Sequence, residues 1–296
     1  MKVRRPAAFL LVFLLLGCAR PAAAATGDPD ALAPGKIAYA NGDHNRAIQE
    51  FRKVLHEHPN DAEAYLWLGR ALGRKADKSN PFHAMFMVGE IKGAFEHAVA
   101  LAPDHWDAHQ DLLEFYLNAP GAFGGGLDKA RKQAEILARL SAAEGHVAAS
   151  RIAEKHRDYA LTEKELQAAL AADPKNLGRY RELGHFYHRR RRWAEMEEAF
   201  RKAGDRKANY HLAAGYLEQG VKLEEAERLL KLFLSAPQPP PGDEPTLAQA
   251  LLMMGQVKAR LGRTEEAAHE YRSALAKNPF LHEARKELER LSIVPR

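Results

Sequence analysis

Four glycines fall within six residues of the stretch NAPGAFGGGLDK, which spans residues 118–129 and ends on a lysine. A loop that cradles phosphate has the pattern G-x-x-x-x-G-K-[ST], whose lysine and hydroxyl contact phosphate and magnesium. Gly121 and Gly126 have the required spacing. Leu127 and Asp128 follow, however, where the motif needs lysine and a hydroxyl, and a carboxylate there would repel phosphate. The spacing alone therefore does not predict a nucleotide site.

The surroundings of the glycines favour a turn between two helices. The preceding segment, HQDLLEFYL (109–117), has a helical pattern, whereas a phosphate loop follows a buried strand. We predict that Pro120 ends this helix, that the glycines reverse the chain, and that Asp128 caps the helix KARKQAEILARL (129–140). A projecting loop that contacts a partner is the functional alternative.

Soft metal ligands are concentrated in HAMFM (83–87), because His83, Met85 and Met87 are types that suit copper(I). On a helix, residues two apart point in different directions, so Met85 and Met87 do not share a face. The pattern favours core packing over a metal site.

Histidine pairs occur in HWDAH (105–109) and HFYH (185–188). His105 and His109 are four residues apart and share a helix face. Neither the H-E-x-x-H pattern nor a third ligand accompanies them, so we predict solvated or capping side chains rather than a metal centre.

The densest charge is HRRRRW (188–193), which we place in a turn between two helices. It is either a solvated turn or a contact for anionic headgroups, an envelope polyanion or an acidic partner. No aromatic interleaving supports nucleic-acid binding, and we predict none.

No nucleophile elbow of the form G-x-S-x-G appears in the sequence, so we predict no enzyme and no cofactor. The formal net charge is +5, and Lys2, Arg4 and Arg5 supply three of those charges. The remaining excess is small and does not indicate a nucleic-acid partner.

The first 25 residues are predicted to be an export signal. A basic start precedes the apolar run Phe9–Leu16, which is too short to span a bilayer. Cleavage could fall within the lipobox-like Leu15–Cys18, so that Cys18 is lipidated and becomes the mature N-terminus, or at the small residues of Pro21–Thr26. The chain has one cysteine, and it lies where lipidation would need it, so we expect a lipid-anchored protein of the bacterial envelope, on its periplasmic face.

Internal similarity gives the fold. An apolar residue and a glycine open the segments WLGRALG (67–73), ELGHFYH (182–188) and MMGQVKARLG (253–262). Amphipathic helices that end at a proline follow the same order, as in RAIQEFRKVLHEHP (46–59) and EAAHEYRSALAKNP (266–279). The glycine lets two helices pack closely, and the proline stops the second helix.

This pattern resembles the tetratricopeptide repeat, a helix-turn-helix unit of 34 residues. In the last repeat the family's signature positions hold Gly255, Gly262, Ala267, Tyr271, Ala274 and Pro279. The resemblance implies an all-α, right-handed α-solenoid over residues 28–292, with about seven repeats starting near residues 28, 62, 106, 143, 177, 207 and 248. Residues 282–291 would form a capping helix. We place insertions near 74–84 and 118–127, and a proline-rich loop at 236–245.

The family geometry implies that the first helix of each repeat lines a concave groove. The residues that it places there, with a basic lean in the middle of the array, are Lys36, Tyr39, Leu66, Arg70, Arg74, Glu114, Asn118, Arg151, Lys155, Arg181, His185 and Arg189. Arginine forks suit carboxylates, so the expected ligand is a segment of another envelope protein, with Tyr39 and Leu66 supplying apolar contact. The expected function is a non-enzymatic scaffold. The alternatives are a periplasmic carrier of metal or a small ligand, and an accessory subunit of an envelope assembly or biosynthesis complex.

Overall fold

The computed structural model describes residues 29–237 and 245–293. Within these ranges the regular elements are helices, and no strand occurs among them. The predicted export signal with Cys18, and most of the predicted proline-rich loop, lie outside the described residues.

The helices form seven consecutive pairs and a final single helix, and each helix packs against its neighbours in chain order. The first helices of the pairs are α1 (Pro29–Ala40), α3 (Ala62–Lys78), α5 (Trp106–Asn118), α7 (Ala142–Lys155), α9 (Leu177–Arg189), α11 (Arg206–Gln219) and α13 (Leu247–Arg260). The second helices are α2 (His44–Glu57), α4 (Pro81–Leu101), α6 (Leu127–Leu140), α8 (Tyr159–Ala172), α10 (Trp193–Ala203), α12 (Leu223–Ser235) and α14 (Thr264–Lys277), and α15 (His282–Ile293) follows. The predicted α-solenoid of seven helix pairs and a terminal helix is confirmed.

Aspartates set the starts of several helices. The side chain of Asp43 accepts a hydrogen bond from the backbone N–H of Arg46, and that of Asp61 accepts one from Ala64. Such caps satisfy amide groups that have no partner inside the helix. The starts of the first helices also agree with the sequence pattern, because each predicted repeat start falls within one residue of an observed one.

Glycines on the first helices let aromatic side chains of the second helices lie directly against the backbone. A Cβ added to Gly69 would lie 2.5 Å from Cε1 of Phe95, which is closer than two carbon atoms can approach. The same contact recurs between Gly35 and Phe51, Gly184 and Phe200, and Gly255 and Tyr271. The expected close packing of the two helices at glycine is thus present in the first, second, fifth and seventh pairs.

The apolar interior is divided near the fourth pair. One buried cluster extends from Leu32 to Ala148 and a second extends from Leu166 to Val257. Between them, the buried carboxylate of Glu144 on α7 pairs with the guanidinium of Arg179 on α9. Polar bonds replace apolar contact at this junction.

The extra residues of the second pair lengthen both of its helices. α3 has 17 residues and α4 has 21, and Asn80 caps α4 with Pro81 in the first turn. The expectation that HAMFM belongs to the core is wrong for Phe86, which is 68% exposed, and for Met85, which is 38% exposed. The lengthening gives α4 more turns than its neighbours can cover.

The glycine-rich stretch is a turn that its own lysine holds. A short 3-10 turn (Gly121–Phe123) follows α5, and Lys129 Nζ donates to the carbonyl of Gly124 at 2.8 Å. The predicted cap at Asp128 is wrong. Helix α6 begins two residues earlier than predicted, after Gly126 at φ 155°, so Asp128 lies in its first turn and its charge favours the helix N-terminus there.

Candidate functional site

The twelve residues that the sequence places in the groove lie on α1, α3, α5, α7 and α9, the first helices of five successive pairs. The structure gathers nine of them into three groups, buries Leu66, and joins Tyr39 to Arg74. Bonds between neighbouring first helices recur in each group, so these side chains connect the repeats as well as facing outward.

A central group lines a cavity of about 260 Å³ between α5, α7 and α9. Its walls are Glu114, Leu117, Asn118, Arg151, Glu154, Lys155 and Arg189. Five of these seven residues are predicted groove residues. Leu117 and Glu154 complete the wall, and the family geometry also places Glu154 in the groove lining, three residues from Arg151.

Ion pairs fix most of the central charges. Arg189 binds Glu154 through two hydrogen bonds, from Nε at 3.0 Å and from an outer nitrogen at 2.9 Å. Arg151 Nε lies 3.4 Å from Glu114 Oε1. Lys155 Nζ donates at 3.1 Å to the neutral amide oxygen of Asn118. Three cations therefore face two carboxylates, and the cavity keeps a net positive charge.

A second group surrounds Trp67, which the groove prediction omitted. The Lys36 ammonium and the Arg70 guanidinium each lie 5.0 Å from the centroid of the indole ring, within the range of a cation–π contact. Glu63 accepts from the indole N–H at 2.8 Å and from Lys36 at 3.2 Å. Arg70 also pairs with Asp111 on α5. These cations are already neutralised.

The Glu63 carboxylate also bonds to His105 Nε2 at 3.1 Å. This hydrogen bond is the main reason that the pKa of Glu63 falls to about 2, and it raises the pKa of His105. The expectation of a solvated or capping role is wrong for His109, which is 4% exposed and bonds to Gln133 and to the carbonyl of Pro103. The two histidines therefore have separate partners.

Leu66 does not reach the groove, because its side chain is fully buried. It precedes Gly69 by three residues and so shares the face of α3 that packs on α4. Tyr39 is 9% exposed, and its hydroxyl accepts a hydrogen bond from Arg74 Nε at 3.1 Å. Neither residue supplies the open apolar surface that the sequence suggested.

The third group contains Arg181 and His185 on α9. Arg181 pairs with Asp205, whose carboxylate also caps α11. The ring of His185 lies 4.2 Å from that of His211, measured between centroids. Burial lowers the pKa of His185 to about 3 and that of His211 to about 4, so both rings are neutral at pH 7. His185 therefore adds no positive charge to the groove.

The arginine run falls in the turn between α9 and α10, as predicted. Arg192 pairs with Glu163 and Glu195, and the Arg190 guanidinium lies 4.0 Å from the ring centroid of Tyr159. Most of this charge thus contacts groups of the protein itself. This favours the interpretation as a turn over a contact for an anionic partner.

Residues 29–237 and 245–293 contain no group of three or more histidine, cysteine or acidic side chains placed to hold a metal ion. No helix within the same ranges combines the length and the apolar character that crossing a bilayer requires.

Comparison with known proteins agrees with this architecture. A family model described as "Tetratricopeptide repeat" matches residues 32–77 and 252–288. No curated protein matches the sequence.

Solved structures share the fold at low sequence identity. Yeast Tom70 is 12% identical, with a TM-score of 0.54, over 93% of this chain and 58% of that one. A tetratricopeptide repeat protein from Parabacteroides merdae ATCC 43184 is 14% identical, with a TM-score of 0.48, over 89% of this chain and 98% of that one. The Cut9–Hcn1 hetero-tetramer of the APC/C has a matching chain at 17% identity and a TM-score of 0.47, over 89% of this chain and 48% of that one. The chain thus spans about half the length of the Cut9–Hcn1 match.

Paired helices, glycine–aromatic packing and a row of polar first-helix side chains define a helical-repeat solenoid. Residues near both ends, 32–77 and 252–288, match the tetratricopeptide repeat, and the helices between them continue the same paired arrangement.

Proposed function

We propose that the protein is a non-enzymatic scaffold of the bacterial envelope that binds an acidic segment of another protein in the central cavity. The observation that supports this most is the convergence of Arg151, Lys155 and Arg189, from two helices, on one open depression. A fixed array of cations loses little conformational entropy when it binds a partner.

The chemistry of the cavity favours a carboxylate. Lys155 is exposed and donates to a neutral amide, so a partner's carboxylate can replace that weaker bond without breaking an ion pair. Arg189 is also exposed, and its pair with Glu154 orients the guanidinium toward the cavity. Rim charges of this kind act mainly on the association rate and on orientation.

The envelope location is supported by the sequence alone. The basic start, the run Phe9–Leu16 and Cys18 have the order of a lipoprotein signal. A single acyl chain gives marginal membrane binding, so anchoring would require more than one chain at the N-terminus.

The binding proposal is tested by a crosslinking pull-down from native envelopes. The bait is the intact chain, compared with Lys155→Glu/Arg189→Glu. The control is Lys164→Glu/Arg272→Glu, which makes the same charge change at exposed positions of two second helices. We expect the groove variant to recover at least tenfold less of one protein than the intact chain does, and the control variant to recover as much of it as the intact chain. Equal recovery by both variants would exclude the central cavity.

The anchoring proposal is tested by labelling cells with a radioactive fatty acid. We expect label on the intact chain, and none on Cys18→Ser, with loss of that variant from the membrane fraction. An unlabelled intact chain that is cleaved after the alanine run would show that the protein is soluble in the periplasm.

A further inference from the structure

The two ends of the array meet, and a larger cavity of about 670 Å³ lies where they do. The amide of Asn278, after α14, donates at 2.9 Å to the carbonyl of Asn41 in the turn between α1 and α2. Those residues are 237 positions apart. The cavity walls come from the first two pairs on one side and from α13 and the α14–α15 turn on the other.

The wall is electropositive. The end of α3 contributes Arg74, Lys75 and Lys78, and Asp43 is the one carboxylate among the lining residues. The first residues of α2 and α15 also lie in the wall, so the positive ends of two helix dipoles face the cavity. Dipoles and cations together favour an anion.

His44 is enclosed by the protein, and its ring nitrogens have no surface open to the cavity. It lies in the cavity wall and is 9% exposed, yet neither Nδ1 nor Nε2 has a hydrogen-bond partner. Burial, with Lys78 and Arg74 nearby, lowers the pKa of His44 to about 4, so the ring is neutral.

The remaining wall is apolar. Tyr39 and Ala40 contribute from the first pair, and Phe280 and Leu281 contribute from the last turn. Phe280 is 61% exposed, although it adjoins the cavity. A volume of this size accommodates a small organic molecule rather than a bare ion.

We propose that the cavity between the first two helix pairs and the last pair binds a small organic anion, in which a carboxylate or phosphate group is attached to an apolar body. The anionic group contacts Lys75 and Lys78, and the apolar body lies on Phe280. This site is separate from the central cavity and does not depend on the partner proposed there.

The test is isothermal titration calorimetry of the full chain with phenyl phosphate, phenylacetate and benzyl alcohol. We expect at least one of the two anions to bind at a ratio of one per chain, and the neutral alcohol not to bind. Binding of only one anion identifies whether phosphate or carboxylate is recognised. Failure of both anions, or equal binding of the alcohol, would overturn the proposal.

Variants locate the site. We expect Lys75→Gln/Lys78→Gln to weaken binding at least tenfold, whereas Lys53→Gln/Lys132→Gln, with the same loss of charge at exposed positions elsewhere, retains it. Phe280→Ala should weaken binding at least threefold, because the last repeat forms one wall. Circular dichroism verifies the fold of each variant. Equal effects of the two lysine pairs, or an unchanged affinity in Phe280→Ala, would place the anion elsewhere.

Discussion

At the scale of single residues, glycine determines how closely the helices of a pair approach. Gly69 and Gly73 lie four residues apart on α3, yet only Gly69 is pressed against a neighbouring side chain. A comparison of the two positions therefore distinguishes the contribution of glycine to close packing from its destabilising effect on a helix.

We predict opposite effects of alanine at these positions. Gly69→Ala places a Cβ 2.5 Å from Phe95 and should destabilise the protein by about 1–3 kcal/mol. Gly73→Ala meets no atom within 4 Å and should stabilise it by about 0.5–1 kcal/mol, because alanine favours a helix. Urea unfolding measures both. A neutral Gly69→Ala would show that the close contact is not required.

The buried histidines make stability depend on pH. The pKa values of His185 and His211 are about 3 and 4 in the folded chain, whereas an unfolded histidine has a pKa of about 6.5. Between those values the unfolded chain binds protons that the folded chain does not, so acidification below pH 6.5 favours unfolding.

We predict that His185→Gln/His211→Gln makes the free energy of unfolding less steep against pH between 6.5 and 4.5. The control is His83→Gln/His97→Gln, which changes exposed rings and should retain the steep dependence. Urea unfolding at a series of pH values gives both slopes. Identical slopes for the two variants would contradict the burial account.

Residue-level prediction from sequence succeeded where local chemistry decides and failed where packing decides. The first-helix glycines and the cap at Asn80 were predictable from residue type and spacing. The sequence analysis placed Leu66 in the groove and omitted Trp67, whereas the structure shows the reverse. A shift of one position on a helix turns a side chain by about 100°, so a small error in alignment changes the face. Burial of Leu66 and the cation contacts of Trp67 depend on neighbouring helices.

At the scale of elements, the junction in the fourth pair has a composition unlike the rest. α7 buries Ser150 and Glu144, and α8 buries Thr162. The two apolar clusters end here, and the pair between Glu144 and Arg179 crosses from α7 to α9. Helices α7 and α8 are intact, and they bury polar side chains beside their apolar ones.

We predict that Glu144→Gln lowers the free energy of unfolding by about 3 kcal/mol, because it leaves the Arg179 guanidinium buried with less compensating charge. Glu198→Gln, which removes an exposed carboxylate paired with Lys202, should leave stability unchanged. Denaturant unfolding compares the two. A small effect of Glu144→Gln would show that Glu182 alone compensates the arginine.

At the scale of the whole molecule, the contact between Asn41 and Asn278 departs from a repeat array in which each unit contacts only its neighbours. No local pattern in the sequence specifies this contact. It depends on small rotations that accumulate over seven pairs, and on the lengthening of α3 and α4. The number and order of helices were predictable, whereas the meeting of the ends was not.

The charge of the groove likewise emerges only at this scale. The sequence shows a basic lean along the first helices, but partners on adjacent helices neutralise Lys36, Arg70 and Arg181. Among the first helices α5, α7 and α9, an excess remains in the central cavity, around Lys155. The account therefore requires a partner to bind there rather than along the entire concave face.

Site-specific photo-crosslinking in living cells tests this claim most directly. A benzophenone amino acid replaces Asn118, which is exposed at the central cavity, or Leu232, which is exposed on the second helix α12. We predict one protein adduct from position 118, its loss when Lys155→Glu/Arg189→Glu is added, and no such adduct from position 232. The same adduct from both positions, or none from position 118, would contradict the account.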